Sequence, residues 1–154
     1  MNVNEVQEKV KEYENFIEDK LKRDLEDIVV ILKDKSTKLK DWEEVKTTVK
    51  TIRRSKEKNR DMVVKVNIGG GILAQGEISD LEQIYIDVGL GYMLEMNHEE
   101  ADRYADIRMN LLKKEIAHFR KMAVDVKVNI KLILLALSEL QATLTPTNLS
   151  TSNK

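Results

Sequence analysis

Apolar residues change their spacing twice along this chain. Val3, Val6, Val10, Tyr13 and Ile17 recur at three- and four-residue steps. Leu21 and Leu25 follow at four and four, before Ile28, Leu32, Leu39, Trp42 and Val49 resume the repeat. That periodicity predicts a helix over about 3–58, opening near Asn4, where an asparagine can cap and Gln7 sits three residues on. The 3-4-4 step is a stutter, which locally unwinds a left-handed supercoil. Heptad spacing also places Lys35 and Lys46 on the seam, where a lysine can bury only its stem.

Between Met62 and Met96 the period drops to two. Met62, Val64, Val66 and Ile68 form one run, and Ile72, Ala74 and Ile78 a second after three glycines. Ile84, Ile86 and Val88 make a third, and Tyr92, Leu94 and Met96 a fourth. Alternation broken by glycine predicts four short antiparallel strands in two hairpins over about 62–96. Gly69-Gly70-Gly71 and Gly89-Leu90-Gly91 read as the turns.

From about 97 to 145 the helical period returns. Asn97 can cap, with Glu99 and Glu100 in the first turn. Ala105, Met109, Leu112, Ile116, Phe119, Ala123, Val126, Ile130, Ile133, Leu137, Leu140 and Leu144 alternate four and three without a miss. Sustained so long, the pattern specifies a coiled-coil partner rather than a globular face. Leu132, Leu134 and Leu135 add apolar surface that is either extra packing or an exposed contact patch. Pro146 stops the helix, which leaves residues 146–154 as a disordered polar tail behind a single domain of residues 1–145.

The hairpins reverse the chain, so the two helices are expected to lie antiparallel. Facing seams pair residues whose numbers sum to roughly 158, a value that the repeat fixes only modulo a heptad. Trp42 then faces Ile116, Leu39 faces Phe119, Leu32 faces Val126, Ile28 faces Ile130 and Lys35 faces Ala123. Helix pairing leaves the strands without a covering layer, and isolated hairpins are marginal. Val64, Val66, Ile68, Ile84, Ile86 and Val88 are therefore the expected subunit-assembly residues. At the helix ends farthest from the hairpins, Val3, Val6, Val10, Leu137, Leu140 and Leu144 are the candidate contacts for a client or partner, alongside the loosened seam at Ile17–Leu25. The bland alternative is that they pack only on one another.

Composition changes this picture little. The chain has 154 residues, 34% of them charged, one proline, no cysteine and a net charge of −1. Few aromatics and many charges suit long helices, and near-neutrality supplies no field to recruit nucleic acid or an anionic membrane. Lack of cysteine excludes disulfides and thiolate zinc sites. No apolar run approaches membrane-spanning length, and MNVNEVQEKV lacks a signal-like apolar stretch, so a soluble intracellular protein is expected. The Asn148-Leu149-Ser150 sequon is then expected to go unused.

Candidate chemistry is sparse. Gly69-Gly70-Gly71-Ile72-Leu73-Ala74 satisfies G-x-G-x-x-A in form, but a dinucleotide site needs a helix next, and here a strand pattern continues. His98 and His118 lie twenty apart without metal-ligand spacing. Carboxylates spread over solvated faces with no apolar pocket to raise a pKa. No catalytic, cofactor or metal residue is assigned. The basic stretch Arg53–Arg60 suits a helix C-terminus and competes with a nuclear-localisation reading.

The run Ile84-Tyr85-Ile86-Asp87-Val88-Gly89-Leu90-Gly91-Tyr92, followed by Glu99-Glu100-Ala101, resembles the α-class subunits of prefoldin. The resemblance covers almost the whole chain apart from the last ten residues. Glu12-Tyr13-Glu14-Asn15-Phe16-Ile17-Glu18-Asp19-Lys20-Leu21-Lys22-Arg23-Asp24-Leu25 is similar to the signature of a prefoldin-like branch of that family. Leu137-Ser138-Glu139-Leu140-Gln141 is similar to that branch's last helical turns. Gly69-Gly70-Gly71 and Ile86-Asp87-Val88-Gly89 follow the general α-class pattern. The resemblance implies an α+β fold, a long antiparallel coiled coil joined by two central β-hairpins.

It also implies a hexamer of two α-class and four β-class subunits whose hairpins share a β-barrel body. Prefoldin holds unfolded actin and tubulin at its coiled-coil tips without ATP. The prefoldin-like branch instead joins a co-chaperone complex that works with an AAA+ ATPase in assembling protein complexes, and is linked to transcriptional co-regulation. The expectation is therefore a non-enzymatic subunit without cofactors, with unlike prefoldin-type subunits and unfolded or assembling clients as partners. The alternatives are an ordinary prefoldin α subunit or a coiled-coil transcription scaffold. Neither membrane nor direct nucleic-acid binding is expected, and location would be cytoplasmic, nuclear and centrosomal.

Overall fold

The computed structural model describes residues 3–58 and 61–144, with the side chains of Val3, Thr143 and Leu144 set aside. The expected tail over 146–154 lies outside the described residues. Helix α1 spans Val3–Phe16, a five-residue π turn Ile17–Leu21, and helix α2 Lys22–Glu57. Strands β1 Met62–Gly69 and β2 Ile72–Ile78 form one two-stranded antiparallel sheet, and β3 Ile84–Gly89 and β4 Tyr92–Met96 another. Helix α3 then runs His98–Leu144. Helix, two hairpins, helix is the observed order.

The π turn explains the anomaly in the first repeat. In it the Lys22 amide donates to the Ile17 carbonyl, five residues back rather than four. Before it, the apolar repeat runs Val6, Val10, Tyr13 and Ile17, with Tyr13 exposed at its edge, and after it Leu21, Leu25 and Ile28, a phase one residue late for an unbroken heptad. A π turn adds one residue without turning the helix face. Ile17 and Leu21 are both buried as a result. The step is a one-residue insertion held within the helix, not only a loosening of the supercoil. α1 already includes Val3, so Asn4 sits in the first turn and is not the cap.

Packing divides the chain into a unit of residues 35–115 and a unit of residues up to 34 together with those from 116 on. In the first, Val49 of α2, Ile86 and Met96 of the second hairpin and Ala101 of α3 form the core, with Trp42, Val45, Ile84, Val88 and Tyr104 around it. In the second, Ile17, Leu21 and Leu137 are the centre, with Val10, Val126, Ile130 and Ile133 packed against them. Every described member of the α3 seam is buried or half-buried. Ala101 and His98 extend the same three-and-four spacing back to the start of the helix.

α3 begins with a reciprocal cap. Asn97 Oδ1 accepts from the amides of Glu99, at 3.0 Å, and Glu100, at 2.9 Å. The Glu100 carboxylate accepts the Asn97 amide at 2.9 Å. Amides that the helix cannot satisfy internally are thereby paired, the arrangement of a capping box. The chain can then leave β4 at Met96 and enter the helix at once, with Ala101 fully buried one turn later.

Candidate assembly and contact surfaces

The two hairpins are built on one plan. Gly69 pairs with Ile72 and Gly89 with Tyr92 across two-residue loops. Asn67 Oδ1 accepts the Gly69 amide at 2.9 Å, and Asp87 Oδ1 the Gly89 amide at 2.8 Å. Each side chain turns its own strand end two residues on. Both loop residues have positive φ, 60° and 77° at Gly70 and Gly71, 57° and 78° at Leu90 and Gly91, the requirement of a type I′ hairpin. Leu90 stands where the twin hairpin has glycine, and it is 98% exposed.

Their faces meet different fates. Ile86 is 6% exposed and packs with Val49, Met96 and Ala101, while Ile84 and Val88 pack against the same cluster. The expectation that the chain cannot cover its own sheet is corrected for this hairpin. Residues of α2 and α3 supply the layer. The first hairpin remains open: Val66, Ile68, Ile72 and Leu73 are all exposed, Ile68 at 64%, and Val64 is half-buried. Val66 lies opposite Ala74 and Val64 opposite Gly76, so small partners leave the valines standing above a shallow sheet. Of the six expected assembly residues, Val66 and Ile68 are exposed, Val64, Ile84 and Val88 are half-buried, and Ile86 is buried.

Beside the second hairpin lies an open groove of about 680 Å³ whose lining includes Trp42, Val49, Ile52, Ile84, Val88 and Arg108. Trp42 meets Tyr104 edge to face with centroids 5.5 Å apart, and the Arg108 guanidinium sits 5.8 Å from the Trp42 ring centre. Both contacts suit the ring quadrupole.

The helix register in this unit departs from expectation. Trp42 meets Tyr104 rather than Ile116, and Lys35 forms an ion pair of 2.7 Å with Glu115 rather than facing Ala123. Lys46 bonds Asp106 and lies 3.7 Å from Asp102. In the other unit Val126 and Ile130, expected opposite Leu32 and Ile28, pack against Ile17, Leu21 and Leu137. Partners are displaced by about one heptad toward the start of α3, the ambiguity a periodic seam allows. The two seam lysines do bury part of their stems, and each ends on a carboxylate. The hydrogen bond to Asp106 holds the Lys46 ammonium above the ordinary lysine range, reinforced by the charge of Asp102.

In the unit containing the first and last helical turns, Val6 and Leu137 are buried and Val10 is half-buried against the Ile17–Leu137 cluster. Three of the expected contact residues are thus closed into the seam. Val3 and Leu144 carry side chains outside the described ones. Leu140 lines a groove of about 340 Å³ with Tyr13, Leu132, Ile133, Ala136 and Leu137. Tyr13, Phe16, Leu132, Leu134 and Leu135 are all exposed. The open apolar surface here lies beside the seam, and the leucine cluster at 132–135 was its signal in the sequence.

The remaining motifs are accounted for locally. Gly69 to Ala74 spans a hairpin turn and the start of β2, with no helix after it. His98 occupies the first position of α3 and is buried, and His118 is exposed with an edge contact to Phe119. In the basic stretch Arg53 pairs with Glu57 at 3.1 Å and Lys56 with Glu82 at 2.6 Å, while Arg60 lies outside the described residues.

Known proteins share this arrangement. The family described as prefoldin subunit matches residues 21–143. A protein UXT homolog of Nematostella vectensis is 28% identical over 137 residues, covering 89% of this chain and 86% of that protein. Protein UXT of Rattus norvegicus is 31% identical over 138 residues, covering 88% and 85%. Protein UXT of Homo sapiens is 27% identical over 134 residues, covering 87% and 84%. The paired hairpins, the helical seams and these likenesses agree, and the chain belongs to the prefoldin subunit family, within its UXT group.

Proposed function

We propose that this chain is a non-enzymatic subunit of a prefoldin-like hetero-oligomer that assists the assembly of other protein complexes. The observation that carries the reading is the uncovered first hairpin. Val66, Ile68 and Ile72 expose large side chains on a two-stranded sheet, and such a sheet is marginal until another surface covers it. Strand edges and an apolar face together suit β-augmentation by unlike prefoldin-type subunits. Clients would be held at the groove of Tyr13, Leu132 and Leu140, whose apolar lining fits an unfolded chain's hydrophobic segments. Action in cytoplasm and nucleus, including transcriptional co-regulation, belongs to the same proposal.

Co-expression with β-class prefoldin and prefoldin-like subunits, read by native mass spectrometry, tests it. Val66→Asp with Ile68→Asp should abolish the hetero-oligomer and leave helical circular dichroism unchanged, because both side chains are exposed. Full incorporation of that double variant would refute assembly through this hairpin. Suppression of aggregation of a denatured client by the assembled complex, weakened by Leu132→Ser with Leu140→Ser, tests the second half. Actin and tubulin as the sole clients would favour the ordinary prefoldin role.

A further inference from the structure

α3 has a second apolar face. Val124, Val128, Leu132 and Leu135 are 56%, 48%, 58% and 53% exposed. At 3.6 residues per turn they fall within an arc of about 80°, on the side of the helix opposite the seam. Ala123, Val126, Ile130, Ile133 and Leu137 use the seam side, so the outer stripe is not left over from the coiled coil. Such a row on a charged helix is a mark of an interaction surface.

Charge around it is one-sided. From residue 117 to 135 the helix carries Arg120, Lys121, Lys127 and Lys131 against the single carboxylate Asp125, in a chain whose net charge is −1. All four cations are exposed, and none has an ion-pair partner among the described residues. Four other lysines on these helices are paired, Lys20 with Asp24 and Lys22 with Glu18 within a helix, Lys35 and Lys46 across the helices. Arg120, Lys127 and Lys131 project along one edge of the stripe at seven- and four-residue spacing.

We propose that this outer face of α3 docks an acidic amphipathic helix of a partner protein. Its apolar anchors would lie along Val124, Val128, Leu132 and Leu135, and its carboxylates would meet Arg120, Lys127 and Lys131. Helix-on-helix docking reads anchors at three- and four-residue steps, and a charged rim around an apolar strip sets orientation and on-rate. A membrane is the poorer fit. Membrane-surface helices bury aromatics and leucines on a wide apolar face, whereas this strip is narrow, half valine and without an aromatic. The strip borders the Tyr13–Leu140 groove at Leu132, while Val124, Val128 and Leu135 lie outside that groove's lining.

The test uses the full chain and a fluorescent peptide of about six helical turns, with leucines at three- and four-residue spacing flanked by glutamates. A counterpart flanked by lysines, phosphatidylserine vesicles and a single-stranded oligonucleotide complete the set. Fluorescence anisotropy should show binding of the acidic peptide alone, weakening with salt. Lys127→Glu with Lys131→Glu should weaken it by about tenfold or more and admit the basic peptide. Val124→Gln with Val128→Gln, with every charge kept and outside the Tyr13–Leu140 groove, should weaken the acidic peptide as well, and circular dichroism of both variants should match the parent. Equal binding of both peptides, preference for vesicles or oligonucleotide, or unchanged binding by either variant would overturn the proposal.

Discussion

Removal of Asp19 is the sharpest test of how the first helix keeps its seam. Asp19 is exposed within the π turn, and deleting it leaves steps of 4-3-4-3 from Tyr13 through Ile28, an unbroken heptad. A regular α-helix should then replace the π turn. Val6, Val10 and Ile17 would keep their buried side, and the helix would shed one residue whose ordering costs about 1–2 kcal/mol of backbone entropy. The expected result is a gain on the order of 1 kcal/mol. A control deletion of Ser36, exposed in regular α2, has no spare residue to absorb. It must rotate one side of the helix by about 100° against its partner. Moving even two or three aliphatic side chains out of the seam costs on the order of 5 kcal/mol at 1.5–3 kcal/mol each. The two deletions thus differ in sign. Thermal and urea unfolding followed by helical circular dichroism should place the Asp19 deletion about 2–4 °C above the parent and the Ser36 deletion far below it. Destabilisation of comparable size by both would refute the role given to the π turn.

Three further outcomes follow from local geometry. Asn97→Ala should cost about 1 kcal/mol by urea unfolding, while Asn97→Gly should cost only a few tenths. Leu90→Gly should stabilise the second hairpin by about 0.5–1 kcal/mol, the left-handed strain of leucine less the greater freedom of glycine, seen as slower amide exchange in β3 and β4. Lys46 has its folded pKa raised, first by the Asp106 hydrogen bond, so its contribution is full below the unfolded lysine value of about 10.5 and is lost as pH rises through the folded one. Alkaline unfolding titrations should show that loss in the parent and lack it in Lys46→Met.

What was legible in the sequence was what short segments decide for themselves. Apolar spacing gave the helices, alternation and glycine the hairpins, and Asn97 with Glu100 the start of α3, because each depends on residues within about a turn. Register is a long-range property, and a repeat of sevens looks the same after a shift of seven. Charge held the missing information. Lys35 and Lys46 lie eleven apart on an apolar seam, and in the expected register they would face Ala123 and Leu112. Glu115 and the pair Asp102 and Asp106, which straddle residue 104, offer carboxylates at the required separation, and the structure adopts that register. A half-buried ammonium on an apolar seam gains from a carboxylate partner, which is enough to favour one of two otherwise equal packings.

The hairpins make the same point from the other side, because near-identical turns lead to opposite burial. β3 presents Ile84, Ile86 and Val88, three branched side chains deep enough to meet Val49, Trp42 and Ala101. β2 offers Ala74 and Gly76 against β1, so the first hairpin has less to bury against its own helices and keeps its valines and isoleucines outward. An exposed apolar hairpin is also an aggregation hazard, since its edges can pair with any extended chain. On the opposite face Lys65 and Glu77 flank Val63 and Leu73, charges of the kind that discourage indiscriminate stacking while leaving the apolar side free. The free subunit therefore carries its least supported element where the proposed assembly needs it, and the covering surface of an unlike subunit stabilises that element by mass action.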